Sequence, residues 1–367
     1  MKKDLKENCF MEIRKVNLLL WCVILLLLVF GFMIQLECMN CEEYLRVIVP
    51  ISLCVFMVFS FFANKALLYE IVKKESPIIY VIMLVMTLLL LSGLGTNLNG
   101  TRRWYIVDGF RIVSPSVGLL IATILLMAYL NTKEKEVGLD LKDDVKGATS
   151  FEMLKILFFK TYKLLIPLIS VGVMYIIDRF PATYMIMLVI LFVFGALFEE
   201  TISQKIKYCA FYFVFGFLCF ELSGMSRALQ QRNYTMNDLY LTRRSVVFGG
   251  DISGLQFGER DTFLIFLKEF GVVGVIVGVF LFCLLFYCLI RVYFLTKQNG
   301  DIFGTIVTMG VLVHLLGWLV AGIVTNLYQV YYIISIPFVS NESGNVILFI
   351  FELLFIQAVL VENKSRR

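Results

Sequence analysis

Long apolar runs separated by short polar segments occupy most of the chain. Several runs reach the ~20 residues that an α-helix needs to cross a hydrocarbon core of about 30 Å. They do not alternate apolar and polar residues as the strands of a β-barrel do. We therefore expect an all-α polytopic membrane protein with ten transmembrane helices. The predicted spans are residues 17–37, 45–64, 77–97, 112–130, 161–177, 181–198, 206–222, 263–290, 302–324 and 343–361.

Composition agrees with this class of protein, because 60% of the residues are hydrophobic and the mean hydropathy is +0.86. We expect a single membrane domain over residues 1–367. Within it, residues 131–160 carry mixed charge and are predicted to form a cytoplasmic linker, with a short helix from Ser150. Residues 223–262 form the longest predicted extracellular loop. The charges make no long basic block, so no nucleic-acid partner is indicated.

The distribution of basic residues predicts the orientation. An even number of spans puts both termini on one side, and that side carries 22 of the 33 lysines and arginines. Because basic residues are enriched on the cytoplasmic side of membrane proteins, we expect both termini to be cytoplasmic.

The opposite side is rich in arginine and nearly free of lysine. Of the 19 lysines, 18 fall on the inner side, and the exception is Lys268 in the eighth span. The basic residues in or beside the outer loops are Arg46, Arg102, Arg103, Arg111, Arg179, Arg227, Arg232, Arg243, Arg244 and Arg260. The planar guanidinium grips phosphate through two hydrogen bonds, which suggests a phosphate-bearing ligand outside the cytoplasm. A competing interpretation is that these arginines anchor helices at phospholipid head groups.

Three motifs resemble one known family. Residues 99–104 read N-G-T-R-R-W and residues 114–116 read S-P-S. They resemble the N-G-A-R-R-W and Q-P-S-E-x-x-K patterns of the SEDS family, the shape, elongation, division and sporulation proteins of the FtsW, RodA and SpoVE type. The resemblance implies ten spans, cytoplasmic termini and a large outer loop between spans seven and eight. Val117 and Leu120 stand where the family pattern has glutamate and lysine.

The second motif covers residues 240–250 and 268–274, which resemble the family's Y-Q-x-x-Q-S…G-G and E-E-L-G-x-x-G segments. Counting back from Glu269 puts Arg260 at the position of the family's catalytic aspartate, with Asp261 one residue later. Asp261 is therefore the candidate catalytic residue, and Glu259 is the alternative. The third motif is Asn326 followed by P-F-V-S at residues 337–340, which resembles the family's N-I-G…L-P-F-I-S.

The resemblance implies glycosyl transfer in peptidoglycan synthesis, during cell shape maintenance, division or sporulation. A sugar hydroxyl would attack the anomeric carbon of lipid II or a related undecaprenyl-linked sugar, and polyprenyl pyrophosphate would leave. Asp261, at the membrane surface, could act as the general base, although it could equally cap the eighth helix. The candidate substrate-binding residues are Arg102, Arg103, Trp104, Arg243, Arg244, Ser245, Arg260 and Ser340.

Partners and alternatives also follow from the resemblance. It implies a class B penicillin-binding protein that crosslinks the strands, in addition to membrane lipids. It leaves open whether a divalent cation assists, and no cofactor or metal motif is visible. The alternatives are a catalytically inactive SEDS-like scaffold or regulator, a lipid-linked-sugar transporter, and an O-antigen-type polymerase or ligase.

Among the ionisable residues inside predicted spans, Glu352 and His314 lie near the middle of theirs. Glu352 lies in the last span, where a charge costs roughly 2.5–3.5 kcal/mol, and His314 is the only histidine and lies in the ninth. We expect Glu352 to be protonated or hydrogen-bonded and His314 to have a hydrogen-bonded core role.

Overall fold

The computed structural model describes helices, short strands and a few connecting residues. The described residues are 15–29, 31, 65–90, 96–98, 101–104, 106–107, 110–111, 115–137, 150–178, 181–198, 202–222, 262–327, 336–338 and 343–365. The helices of this part of the chain are α1 (Lys15–Val29), α2 (Lys65–Leu89), α3 (Pro115–Val137), α4 (Ser150–Asp178), α5 (Pro181–Phe198), α6 (Ile202–Leu222), α7 (Thr262–Gln298), α8 (Ile302–Leu327) and α9 (Ser343–Ser365).

The all-α prediction is confirmed. Within the described residues, α3, α7, α8 and α9 contain apolar stretches long enough to cross a membrane, and the apolar stretches of α1, α4 and α5 are shorter. The predicted second span, 45–64, lies outside the described residues. The count of ten spans and the side of the termini therefore stay predictions.

Helices α3 and α8 form the centre of the bundle. Helix α3 packs against α2, α4 and α8, while α8 also packs against α5 and α7. Of the apolar stretch in α3, 94% is buried, compared with 39% of that in α7. The outward face of α7 is apolar as well, with Ile276, Val279 and Phe280 exposed. An apolar outer surface on this scale suits contact with lipid tails.

Helix α2 begins well before the predicted third span, 77–97. The early start of α2 follows from the spacing of its buried residues. Buried side chains recur every three or four positions, at Tyr69, Val72, Ser76 and Tyr80. That periodicity places them on one helical face, with Lys73 and Lys74 between them. The two lysines interrupt the apolar run, so the run alone does not predict the first turns of α2.

Both helices that border the predicted linker, 131–160, extend into it. Helix α3 continues to Val137 and α4 begins at Ser150. Residues 138–149 lie outside the described part of the chain. The described portion of this segment is therefore helical.

Two small antiparallel hairpins lie between α2 and α3, mostly in the segment between the predicted third and fourth spans. Strand β1 (Thr96–Leu98) pairs with β2 (Thr101–Trp104), and β3 (Ile106–Val107) pairs with β4 (Phe110–Arg111). Leu98 pairs with Thr101 and Val107 with Phe110, so each connection has two residues. Those residues are Asn-Gly and Asp-Gly, the strongest sequence signals for a two-residue hairpin. The sequence itself therefore carries the signal for both hairpins.

Candidate functional site

The N-G-T-R-R-W motif lies in the first hairpin. Arg102 and Trp104 of β2 pair with Asn97 and Thr96 of β1, with a register irregularity between the two pairs. Strand β2 also lies against α3 and α4. The motif therefore holds Arg102, Arg103 and Trp104 on a short strand that lies against two helices of the bundle.

The S-P-S motif leads directly into α3. Pro115 is its first residue, a position where the missing N–H of proline costs no hydrogen bond. The Thr87 hydroxyl of α2 donates to the Pro115 carbonyl at 3.3 Å, which joins the end of α2 to the start of α3. One turn further, Val117 and Leu120 are 1% and 0% exposed. The two positions where the family pattern has glutamate and lysine are therefore filled by buried apolar side chains.

The remaining predicted site residues lie outside the described part of the chain. They are Arg243, Arg244, Ser245, Glu259, Arg260, Asp261 and Ser340. Helix α7 begins at Thr262, the residue after Asp261. Its backbone breaks at Gly271, with φ 61° and ψ −162°, in the segment that resembles the family's E-E-L-G motif. The roles assigned to these residues stay predictions.

A buried hydrogen-bonded pair joins α8 and α9. His314 Nδ1 and Glu352 Oε1 are 2.7 Å apart, and both side chains are fully buried. The expectations for Glu352 and His314 are thus confirmed, but the sequence analysis did not predict that the two residues pair. With one proton between them the pair carries no net charge, which avoids the cost of an isolated charge in the membrane.

Aromatic rings connect this pair to the P-F-V-S segment. The His314 ring lies 5.5 Å from Phe349 and 5.7 Å from Trp318, measured between centroids. Phe349 in turn lies 5.7 Å from Phe338. These separations are typical of packed aromatic pairs. A continuous line of buried rings therefore runs from the pair to the second residue of the motif.

Phe338 holds an unusual backbone conformation. Its φ is 66°, and among the non-glycine residues that the structure describes it alone has a positive φ. A left-handed conformation costs a non-glycine residue roughly 1–3 kcal/mol and persists only where the surroundings enforce it. Phe338 is 2% exposed, and its neighbours Ile336 and Phe349 are also buried. Packing thus enforces a strained backbone two residues before Ser340.

The pair itself does not form a substrate pocket. A cavity beside Glu352 has a volume of about 10 Å³ and is otherwise lined by apolar side chains such as Ile121, Val307 and Phe355. This volume is far too small for a sugar. Among the described residues, no group of three or more His, Cys, Asp or Glu side chains could hold a metal ion.

Comparisons with known proteins give the fold. By sequence, the chain matches neither a protein-family model nor a curated protein. By structure, it is similar to an aspartate-to-alanine variant of the rod shape-determining protein RodA from Thermus thermophilus, with a TM-score of 0.65 and 16% identity. That match covers 94% of this chain and 97% of the RodA chain. A second neighbour belongs to a peptidoglycan synthase complex described as coordinating polymerization and crosslinking, with a TM-score of 0.65, 16% identity and coverage of 95% and 97%.

The fold is therefore that of RodA, a SEDS protein, along nearly the whole chain. The family resemblance seen in three short motifs is confirmed at the level of fold.

Proposed function

We propose that this chain is a SEDS-type glycosyltransferase of the bacterial cytoplasmic membrane. It polymerises lipid II, or a related undecaprenyl-pyrophosphate-linked sugar, in cell wall synthesis during shape maintenance, division or sporulation. The observation that carries the proposal is a RodA-like fold over 94% of the chain that keeps the arginine-bearing motif on a hairpin beside α3 and α4.

The reaction needs a base and a cationic environment. The hydroxyl of the acceptor sugar attacks the anomeric carbon of the donor with inversion, its proton passes to a carboxylate, and the bond to polyprenyl pyrophosphate breaks. Asp261 takes the proton in this proposal, with Glu259 as the alternative. Arg102, Arg103 and the loop arginines stabilise the departing pyrophosphate, as charge-assisted donors do for developing negative charge.

A crosslinking partner fits the same proposal. One structural neighbour is part of a peptidoglycan synthase complex that coordinates polymerization and crosslinking. By analogy, this chain would act together with a single-span class B penicillin-binding protein. Glycan strands made by the one would then be crosslinked by the other.

The test is polymerisation of lipid II by the purified full-length chain, with and without a co-expressed class B partner. Asp261→Ala should abolish strand formation, whereas Glu259→Ala should leave most of it. A reversed result would move the base to Glu259. Strands that persist in both variants would refute a carboxylate base in this segment.

An inactive scaffold that binds such a partner is the second candidate. Buried Val117 and Leu120 favour it, because they replace the glutamate and lysine of the family pattern in α3. The scaffold predicts that the purified chain retains the partner but makes no strands under any condition. Strand formation by the chain would rule it out.

A further inference from the structure

The His314–Glu352 pair connects the membrane core to the P-F-V-S segment. The pair fixes the orientation of the imidazole, because His314 Nδ1 is bound to Glu352 Oε1 at 2.7 Å. The oriented ring packs against Phe349, and Phe349 packs against Phe338. All four side chains are at most 2% exposed. Because both side chains are fully buried, loss of either partner leaves the other with an unsatisfied polar group, so the line of contacts depends on both.

We propose that His314 and Glu352 are positioning residues, which hold Phe338 in its left-handed conformation and thereby place the segment that carries Ser340. The inference rests on the proposed function, since Ser340 is one of the candidate substrate-binding residues for that reaction. Neither residue of the pair touches substrate in this proposal. Both act through Phe349.

The covalent chain connects Phe338 closely to Ser340. Ser340 follows Phe338 by two residues, which span at most about 7 Å. A change of φ at Phe338 therefore moves Ser340 directly. A displacement of about 1 Å at a reacting centre can lower the rate by about a hundredfold, so the turnover number should respond more than the KM.

The experiment compares Glu352→Gln with Glu352→Leu in the full-length protein in lipid nanodiscs. Glutamine keeps a hydrogen-bonding group beside His314, whereas leucine removes it and stays compatible with the apolar core. The first readout is hydrogen exchange at the backbone amides of Ile336 and Phe338. The second is kcat and KM for lipid II polymerisation. A matched control is Tyr80→Phe, which removes a buried hydrogen bond to Ser170 elsewhere in the bundle.

Glu352→Leu should accelerate exchange at the two amides about tenfold, as loss of one buried hydrogen bond does. It should also lower kcat by about ten- to a hundredfold with KM within about threefold. Glu352→Gln and Tyr80→Phe should stay within about threefold of wild type in both readouts. Unchanged exchange in a folded Glu352→Leu protein would overturn the proposal, and so would a Glu352→Gln protein as defective as Glu352→Leu.

A second variant tests the same contacts in case Glu352→Leu does not fold. Phe349→Leu leaves the pair intact but removes the ring between His314 and Phe338. It should accelerate the same exchange, and the Glu352→Leu/Phe349→Leu double variant should add little, because both changes act on one line of contacts. Fully additive effects would contradict a single line of contacts from His314 through Phe349 to Phe338. If the wild type makes no strands, the proposed function fails, while the exchange readout still decides whether the pair positions Phe338.

Discussion

Replacing Asp301 by alanine should destabilise the bundle at the end where α8 begins. The buried carboxylate joins three helices there. Its Oδ1 accepts from the Tyr69 hydroxyl of α2 at 2.7 Å and from the Gly304 amide at 3.0 Å. Its Oδ2 accepts from Asn363 Nδ2 of α9 at 2.7 Å. The side chain is thus both the N-terminal cap of α8 and a connection from α8 to α2 and α9.

The size of the loss follows from these contacts. A helix cap contributes about 1 kcal/mol, and each hydrogen bond to a charged group contributes about 1.5 kcal/mol or more. One cap and two side-chain hydrogen bonds give about 4 kcal/mol at the lower end for Asp301→Ala. Asp301→Asn should lose less than half of this, because asparagine also caps helices and keeps one acceptor oxygen.

The assay is the free energy of unfolding in mixed micelles or bicelles, measured for both variants and for Tyr69→Phe. A double-mutant cycle of Asp301→Ala with Tyr69→Phe should give a coupling energy of about 1.5 kcal/mol or more. An Asp301→Ala protein within about 0.5 kcal/mol of wild type, or a coupling energy near zero, would refute the reasoning.

Further predictions concern three glycines and Arg102. Gly304→Ala should destabilise strongly in a thermal unfolding assay, because a Cβ there would overlap Asp301 Oδ2 and lie 2.8 Å from Val359 Cγ1. Gly310→Ala should also destabilise, since its Cβ would lie 2.5 Å from Ile124 Cγ2 where α8 crosses α3. Gly172→Ala should be neutral or stabilising, since its Cβ would meet no neighbouring side chain or helix of the described residues within 4 Å. Equal midpoints for Gly310→Ala and Gly172→Ala would contradict the packing of α8 on α3. Arg102→Lys should lower kcat/KM for lipid II by about tenfold although the charge is kept, because lysine cannot form the bidentate pair with phosphate; a wild-type value would show that charge alone is sufficient.

Much of the helical framework was predictable from unbroken apolar runs. Helix α5 covers the predicted residues 181–198, and α8 and α9 begin at the predicted residues 302 and 343. The start of α2 was missed, because Lys73 and Lys74 interrupt the hydropathy while the buried face continues through Tyr69 and Val72. Periodicity carries that information and mean hydropathy does not.

The candidate site was less predictable because its contacts join distant parts of the chain. His314 and Glu352 are 38 positions apart, and only the packing of α8 against α9 brings them together. Phe338 likewise packs against Phe349, a residue of the next helix. The hairpins, in contrast, were local, and their Asn-Gly and Asp-Gly connections could have been recognised.

The most direct test of the central claim is to follow both products of one reaction. The purified wild-type chain, in lipid vesicles with and without a class B penicillin-binding protein, is incubated with lipid II that is labelled in both the sugar and the lipid. The account predicts glycan strands together with polyprenyl pyrophosphate, one carrier released for each bond formed, and neither product with Asp261→Ala. Lipid II that stays intact under both conditions would contradict the assignment as a glycosyltransferase.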